Sequence, residues 1–125
     1  DVPGFAAMHR TSPGAKGEFM TDEMEALFTR LAAESGASLH ALVCDGAVRA
    51  WAFGFESPTG YWYYNSAYDP DAAMASPGVV LLSSMIEAQI GRGARVFDFL
   101  KGDERYKYRH GATKRPLFTI SGRVP

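Results

Sequence analysis

Sixteen residues toward the C-terminal end, Val96 to Gly111, hold most of the groups in this chain that could move a proton or grip an anion. They read Val-Phe-Asp-Phe-Leu-Lys-Gly-Asp-Glu-Arg-Tyr-Lys-Tyr-Arg-His-Gly. Carboxylates can accept a proton once desolvation raises their pKa, and the acids here are Asp98, Asp103 and Glu104. Tyr106 and Tyr108 are hydroxyl donors, and the interleaved Lys101, Arg105, Lys107 and Arg109 suit a phosphate or carboxylate, arginine through two donors at once. Asp98 interrupts an apolar strand, Val96 to Leu100, of the kind buried on both faces. A carboxylate placed there needs a cation or several donors. It either pairs with the cations downstream or caps a turn at the strand end. A plainer reading of the whole cluster is a solvated ion-pair network with tyrosines packed at its rim.

Other chemistries find little support. His9, His40 and His110 are scattered, and no cysteine pair or closely spaced histidine and acid set is present, so no metal site is expected. His40, alone in a strand-like run, reads as a packed or edge histidine. Cys44 has no partner for an internal disulfide and reads as a buried, inert thiol. A net charge of -1 excludes strong global attraction to nucleic acid or an anionic membrane, while leaving room for the local basic patch that Lys114 and Arg115 extend. The aromatic run Tyr61 to Tyr64 could stack bases, but alternate rings of a strand must turn inward, so nucleic acid is a minor option. No apolar run reaches membrane-spanning length and no signal-peptide pattern is seen, which leads to an expectation of a cytoplasmic protein without membrane contact.

The elements that must position these residues follow from periodicity. At 125 residues and 46% hydrophobic, one domain with one core is expected. Residues 1–17 carry Pro3, Gly4, Pro13, Gly14 and Gly17 and read as an irregular lead-in, with a single domain over 18–125. Met20, Met24, Leu27, Phe28 and Leu31 recur at helical spacing behind a Thr21 cap, and Gly36 stops that helix. The period then becomes two. Asp45-Gly46 marks a tight hairpin, and the strand after it puts Arg49, Trp51, Phe53 and Phe55 on one face and Val48, Ala50, Ala52 and Gly54 on the other. Tyr61 to Tyr68 makes a third antiparallel strand. Ser76-Pro77-Gly78 opens a helix through Val79, Leu82, Ile86 and Ile90, ended by Gly91 and Gly93. The strand around Asp98 should return parallel by a right-handed crossover. A short helix from about Asp103 to Arg109 and a last strand, Pro116 to Gly122, complete an α/β (α+β) order.

The helix start at Ser76 lies where the antiparallel half of the sheet meets the parallel half, a place where crevices form. Amides at Gly78 and Val79 could hold an anion there, and a plain capped helix start is the alternative.

Three strings carry a resemblance: Ser-Ala-Tyr-Asp-Pro (66 to 70), Ser-Pro-Gly followed by Leu-Leu (76 to 82), and Phe-Asp-Phe-Leu-Lys-Gly-Asp-Glu-Arg-Tyr-Lys (97 to 107). With the strand order, they resemble the GNAT-type acyltransferase domain of the CelD-like family, related to the FemABX transferases, from about His9 to Gly122. Family members are usually longer, which together with a start at Asp1 suggests the C-terminal half of a larger protein.

The resemblance implies acyl transfer from acetyl-CoA or another acyl-CoA to an amine or hydroxyl of a small molecule, sugar or cell-envelope precursor. The thioester would enter between the third strand and the strand Val96 to Leu100. Amides near Ser66 and Ala67 would polarise its carbonyl, and Ser76, Gly78 and Val79 would receive the pyrophosphate, although this chain has one glycine and no arginine or glutamine just before that helix. Asp98 or Glu104 would serve as base and Tyr106 as acid, with Lys107 and Arg109 holding an anionic part of donor or acceptor. The alternatives are an aminoacyl-tRNA-dependent, FemABX-like half, and a non-catalytic module that binds a ligand or dimerises through an exposed sheet edge.

Overall fold

The computed structural model describes all 125 residues apart from the side chain of Met74. Three helices, α1 (Val2–Arg10), α2 (Ala15–Phe19) and α3 (Asp22–Leu31), precede a meander of β1 (Ala37–Cys44), β2 (Ala47–Glu56) and β3 (Gly60–Tyr68). A 3-10 turn (Pro70–Ala75) leads into α4 (Pro77–Gly91), β4 (Val96–Asp98) and α5 (Arg105–Arg109). The sheet runs β1-β2-β3-β4, antiparallel except for the parallel β3–β4 pair. This is the mixed α/β sheet with helices on both faces that the patterning predicts.

β2 explains the layering. Its large residues, Trp51 and Phe53, face α1 and α3, where they meet Phe5, Ala6 and Phe28. Its small residues, Ala50 and Ala52, face α4 and leave depth for Tyr61, Tyr63, Leu81, Leu82 and Met85. Phe5, Phe28, Phe53 and Tyr61 are fully buried, and each such side chain contributes roughly 1.5–3 kcal/mol of transfer free energy. Asp45 and Gly46, both at positive φ (51° and 76°), close the first hairpin as its two central residues. Thr21 caps α3 through its hydroxyl, which accepts from the Met24 N–H at 3.2 Å.

Several expectations need correction. Residues 1–17 are mostly helical: they hold α1 and the start of α2, and Val2, Phe5, Ala6 and His9 are buried. Pro3 falls in the first turn of α1, where its missing N–H costs nothing, and the Asp1 carboxylate accepts from Gly4 N–H at 2.9 Å. The stripe α4 buries is Leu81, Leu82, Met85 and Gln89, while Val79 and Ile90 are exposed, because Ala50 and Ala52 admit long side chains along that line. Cys44 is exposed beside the hairpin turn. Pro116 to Gly122 forms no strand, and Leu117, Phe118 and Ile120 lie exposed. β4 pairs with β3 over only three residue pairs before the chain turns away.

Candidate active site in the fork between two parallel strands

β3 and β4 pair at Gly60–Val96, Tyr61–Phe97 and Trp62–Asp98, and then separate. Each strand supplies a cause. In β3, Phe53 of the neighbouring strand faces Asn65 while Gly54 faces Tyr63, so Tyr64 is an extra residue. A bulge of this kind bends its strand and raises the local twist. Gly54 is required opposite it, since a Cβ there would lie 2.4 Å from the Trp62 carbonyl oxygen. After β4, Asp98 Oδ1 accepts from the Leu100 N–H at 2.7 Å, and Leu100 at φ 58° swings the chain aside. Between the diverging segments lies a cleft of about 320 Å³, lined by Tyr63 to Ser66 of β3, by Phe99, Lys101, Glu104, Tyr106 and Lys107, and by Lys16 of α2.

Tyr106 reaches this cleft from α5. It is half-buried, with its ring edge-on to Phe99 (centroids 6.1 Å apart, 80° between planes). Its hydroxyl has no protein partner among the described residues. Burial first, then the neighbouring Tyr63 and Glu104, push its pKa well above the ordinary tyrosine range, so it stays protonated. Tyr108 is exposed and its hydroxyl donates to Asp103 instead.

Lys107 is only 6% exposed, and its ammonium donates to the carbonyls of Lys101 (3.1 Å) and Gly102 (3.4 Å) and to Glu104 Oε2 (2.8 Å). All three of its donors are thereby spent on shaping the 101–104 turn. Hydrogen bonding to Lys107 is also what holds the Glu104 carboxyl below its usual range, so Glu104 enters the cleft ionised. Asp98 stays outside the cleft lining, its second oxygen accepting from Arg115 at 2.7 Å, so it caps the turn and pairs with a downstream cation together. Arg109 is exposed on α5 and does not line the cleft.

Of the two β3 residues expected to present amides, Ser66 lines the cleft and Ala67 is buried against the α1 side. The Ser66 N–H donates to Asn65 Oδ1 at 2.7 Å. That oxygen also accepts from His9 Nε2, 3.0 Å away. His9 is 1% exposed, and burial holds its pKa below the usual histidine range, so the ring is neutral. At the start of α4, Ser76 sits in the left-handed region (φ 49°, ψ 53°) and makes no side-chain cap. Its carbonyl instead accepts from the N–H groups of Val79 and Val80, which occupies the Val79 amide. Gly78 packs against the Tyr68 ring, 3.6 Å from where its Cβ would be, and the Lys16 ammonium lies over the same ring, 5.4 Å from its centroid.

Three contributors to the site escape sequence reasoning: Lys16, Asn65 and His9. Lys16 and His9 lie in the segment read as irregular, so nothing in local pattern links them to β3. Asn65 sits at the register shift, which leaves no compositional mark. Among the described residues no group of three histidine, cysteine or acidic side chains could hold a metal ion, and no helix is long and apolar enough to cross a membrane.

A family model described as acetyltransferase (GNAT) domain matches residues 5–108. No curated protein matches the sequence. Among solved structures, an aminoglycoside acetyltransferase from an uncultured soil metagenomic sample, in complex with sisomicin, is 11% identical with a TM-score of 0.62, covering 99% of this chain and 91% of that one. A transcriptional regulator from Bacillus halodurans C-125 is also 11% identical, with a TM-score of 0.65 and coverage of 99% and 93%. The ribosomal-protein-S18-alanine N-acetyltransferase of Escherichia coli is 22% identical, with a TM-score of 0.53, covering 78% of this chain and 58% of that one. At such identities the likeness is one of fold.

Proposed function

We propose that this chain, which belongs to the acetyltransferase (GNAT) domain family, passes an acyl group from acetyl-CoA to an amine or hydroxyl acceptor in the fork between β3 and β4. The observation that carries the proposal is the separation of the two strands after three paired residues, with Tyr106 lining the opening. The unpaired edge of β3 from Tyr63 onward offers backbone groups to the amide-bearing arm of the co-substrate. Lys16, close to Tyr68 and through it to Gly78, is the cation best placed for the diphosphate, and makes up for the missing arginine ahead of α4.

For an amine acceptor, the nitrogen lone pair attacks the thioester carbonyl carbon, the C–N bond forms and the C–S bond breaks. Tyr106 donates a hydrogen bond to the departing sulfur, which leaves as a thiolate and takes its proton from water, and the proton lost by the amine leaves through water. Ionised Glu104 orients a cationic acceptor at the cleft rim.

A FemABX-like donor, an aminoacyl-tRNA, is the second reading. It is favoured by the occupied Val79 amide, which leaves the start of α4 one donor poorer for a diphosphate. Calorimetry with acetyl-CoA, beside longer acyl-CoA and uridine-diphosphate sugars, tests the first reading. Saturable heat with acetyl-CoA supports it, and heat only with the sugar nucleotides refutes it. A screen of amine acceptors should include aminoglycosides and peptides with an N-terminal alanine.

A further inference from the structure

We infer that the Asn65 side-chain amide donates to the thioester carbonyl oxygen in the cleft, which makes Asn65 a catalytic residue and His9 the positioning residue that locks it. The inference rests on the acyl-transfer reading above.

The backbone N–H of Ser66 cannot serve this purpose, because it is already given to Asn65 Oδ1 at 2.7 Å. That bond also fixes which end of the carboxamide is oxygen, since a backbone N–H needs an acceptor. The same oxygen lies 3.0 Å from His9 Nε2, so that nitrogen must carry the proton and His9 Nδ1 must be bare. Nδ1 is one of two buried side-chain nitrogens without a partner among the described residues, which suits a ring committed to one task. Phe5 (5.8 Å, 79°) and Phe19 (5.7 Å, 41°) hold the ring from two sides, so it has little freedom to turn.

With Oδ1 taking two donors, the Nδ2 group is left at the other end of a fixed carboxamide. Nδ2 has no acceptor among the described residues and is not one of the buried unpaired atoms. Asn65 lines the cleft. Its two N–H groups are therefore unspent at the wall of the cleft, available to a carbonyl that enters the fork. A donor held in place in this way needs no reorganisation as charge builds on the oxygen, and losing one such donor typically costs on the order of 10²–10³ in rate.

The test is nuclear magnetic resonance of the ¹⁵N-labelled protein, with the Asn65 side-chain amide assigned by its loss in Asn65→Ala. Acetyl-CoA and S-ethyl-CoA, a thioether that lacks the carbonyl, are titrated in parallel, and calorimetry reports binding of each. A downfield shift of the Asn65 amide protons with acetyl-CoA alone is expected. Asn65→Asp, which keeps an oxygen for His9 and Ser66 but has no N–H, should bind both compounds within about threefold of wild type and lose about 10²-fold in turnover. His9→Phe should broaden or split the Asn65 amide signal, and His9→Gln, which can still donate, should restore it in part. If both compounds bind but move the Asn65 protons equally, or not at all, the inference is overturned and the acyl-transfer reading survives. If neither compound gives heat, the acyl-transfer reading itself fails and takes the inference with it.

Discussion

Replacing Tyr106 by phenylalanine removes one oxygen atom from the centre of the proposed chemistry and almost nothing from the fold. The hydroxyl has no protein partner among the described residues, and the ring keeps its edge-on contact with Phe99 and its place beside Tyr63. Stability should therefore change by no more than about 0.5 kcal/mol. The catalytic effect is set by relative basicity. A departing thiolate has a conjugate-acid pKa near 8.5, and Tyr106, its pKa raised by burial, is the weaker acid of the two. Complete proton transfer is uphill, so the hydroxyl acts mainly by donating a hydrogen bond as charge collects on sulfur. That places the loss at the low end of the general-acid range, about 10²-fold in kcat, or about 2.7 kcal/mol. KM for acetyl-CoA should stay within a few-fold. Because the hydroxyl remains protonated throughout, wild-type kcat should show no alkaline fall from Tyr106 below about pH 10. The assay follows thiol release from acetyl-CoA with an active amine acceptor between pH 6 and 9. A Tyr106→Phe enzyme with kcat within threefold of wild type, or one changed only in KM, would remove Tyr106 from the chemistry.

Lys107→Met should act through shape: loss of three bonds that hold the 101–104 turn is expected to cost about 1–3 kcal/mol, read as a lower urea midpoint, and a full-strength fold with weakened acetyl-CoA binding would show instead a direct ligand contact. Stability should fall on mild acidification. Burial lowers the folded-state pKa of both His9 and His40, so the unfolded chain takes up protons first; stability is complete above about pH 6.5 and declines below it. Urea midpoints at pH 7.5 and 5.5 check this, and an equal or higher midpoint at pH 5.5 refutes it. Gly54→Ala places a Cβ against the Trp62 carbonyl and the Tyr61 hydroxyl, and should cost about 1–3 kcal/mol or more while disturbing the bulge; a variant of wild-type melting temperature contradicts the tight approach described here.

Much of the architecture was legible because it depends on side-chain alternation. The large and small faces of β2 appear in the sequence as Trp51 and Phe53 against Ala50 and Ala52, and they decide which helices lie on which side. Asp45-Gly46 and Ser76-Pro77 marked a turn and a helix start through backbone preferences that act within a few residues. α1 is hard to see in the sequence because Pro3 and Gly4 have the character of breakers, whereas at a helix start they are tolerated. The last strand was expected from composition alone, yet a strand exists only where a neighbour completes its hydrogen bonds. Within the site, the charge of Lys107 suggests an anion, although the carbonyls of the adjoining turn and Glu104 already take its donors. Asn65 and His9 are far apart in sequence, and only the fold shows that they touch.

The extra residue in β3 has a consequence for how such a site could arise or disappear. On either side of Tyr64, the neighbours already face the helices that a regular strand would give them: Tyr63 toward α4, Asn65 and Ala67 toward α1. Excising Tyr64 would leave those assignments intact and give up one side chain that is 40% exposed. What would vanish is the bend, one of the two causes for the parallel segments to part, while the turn at Leu100 would remain. One of the two devices that open the fork thus depends on a single codon.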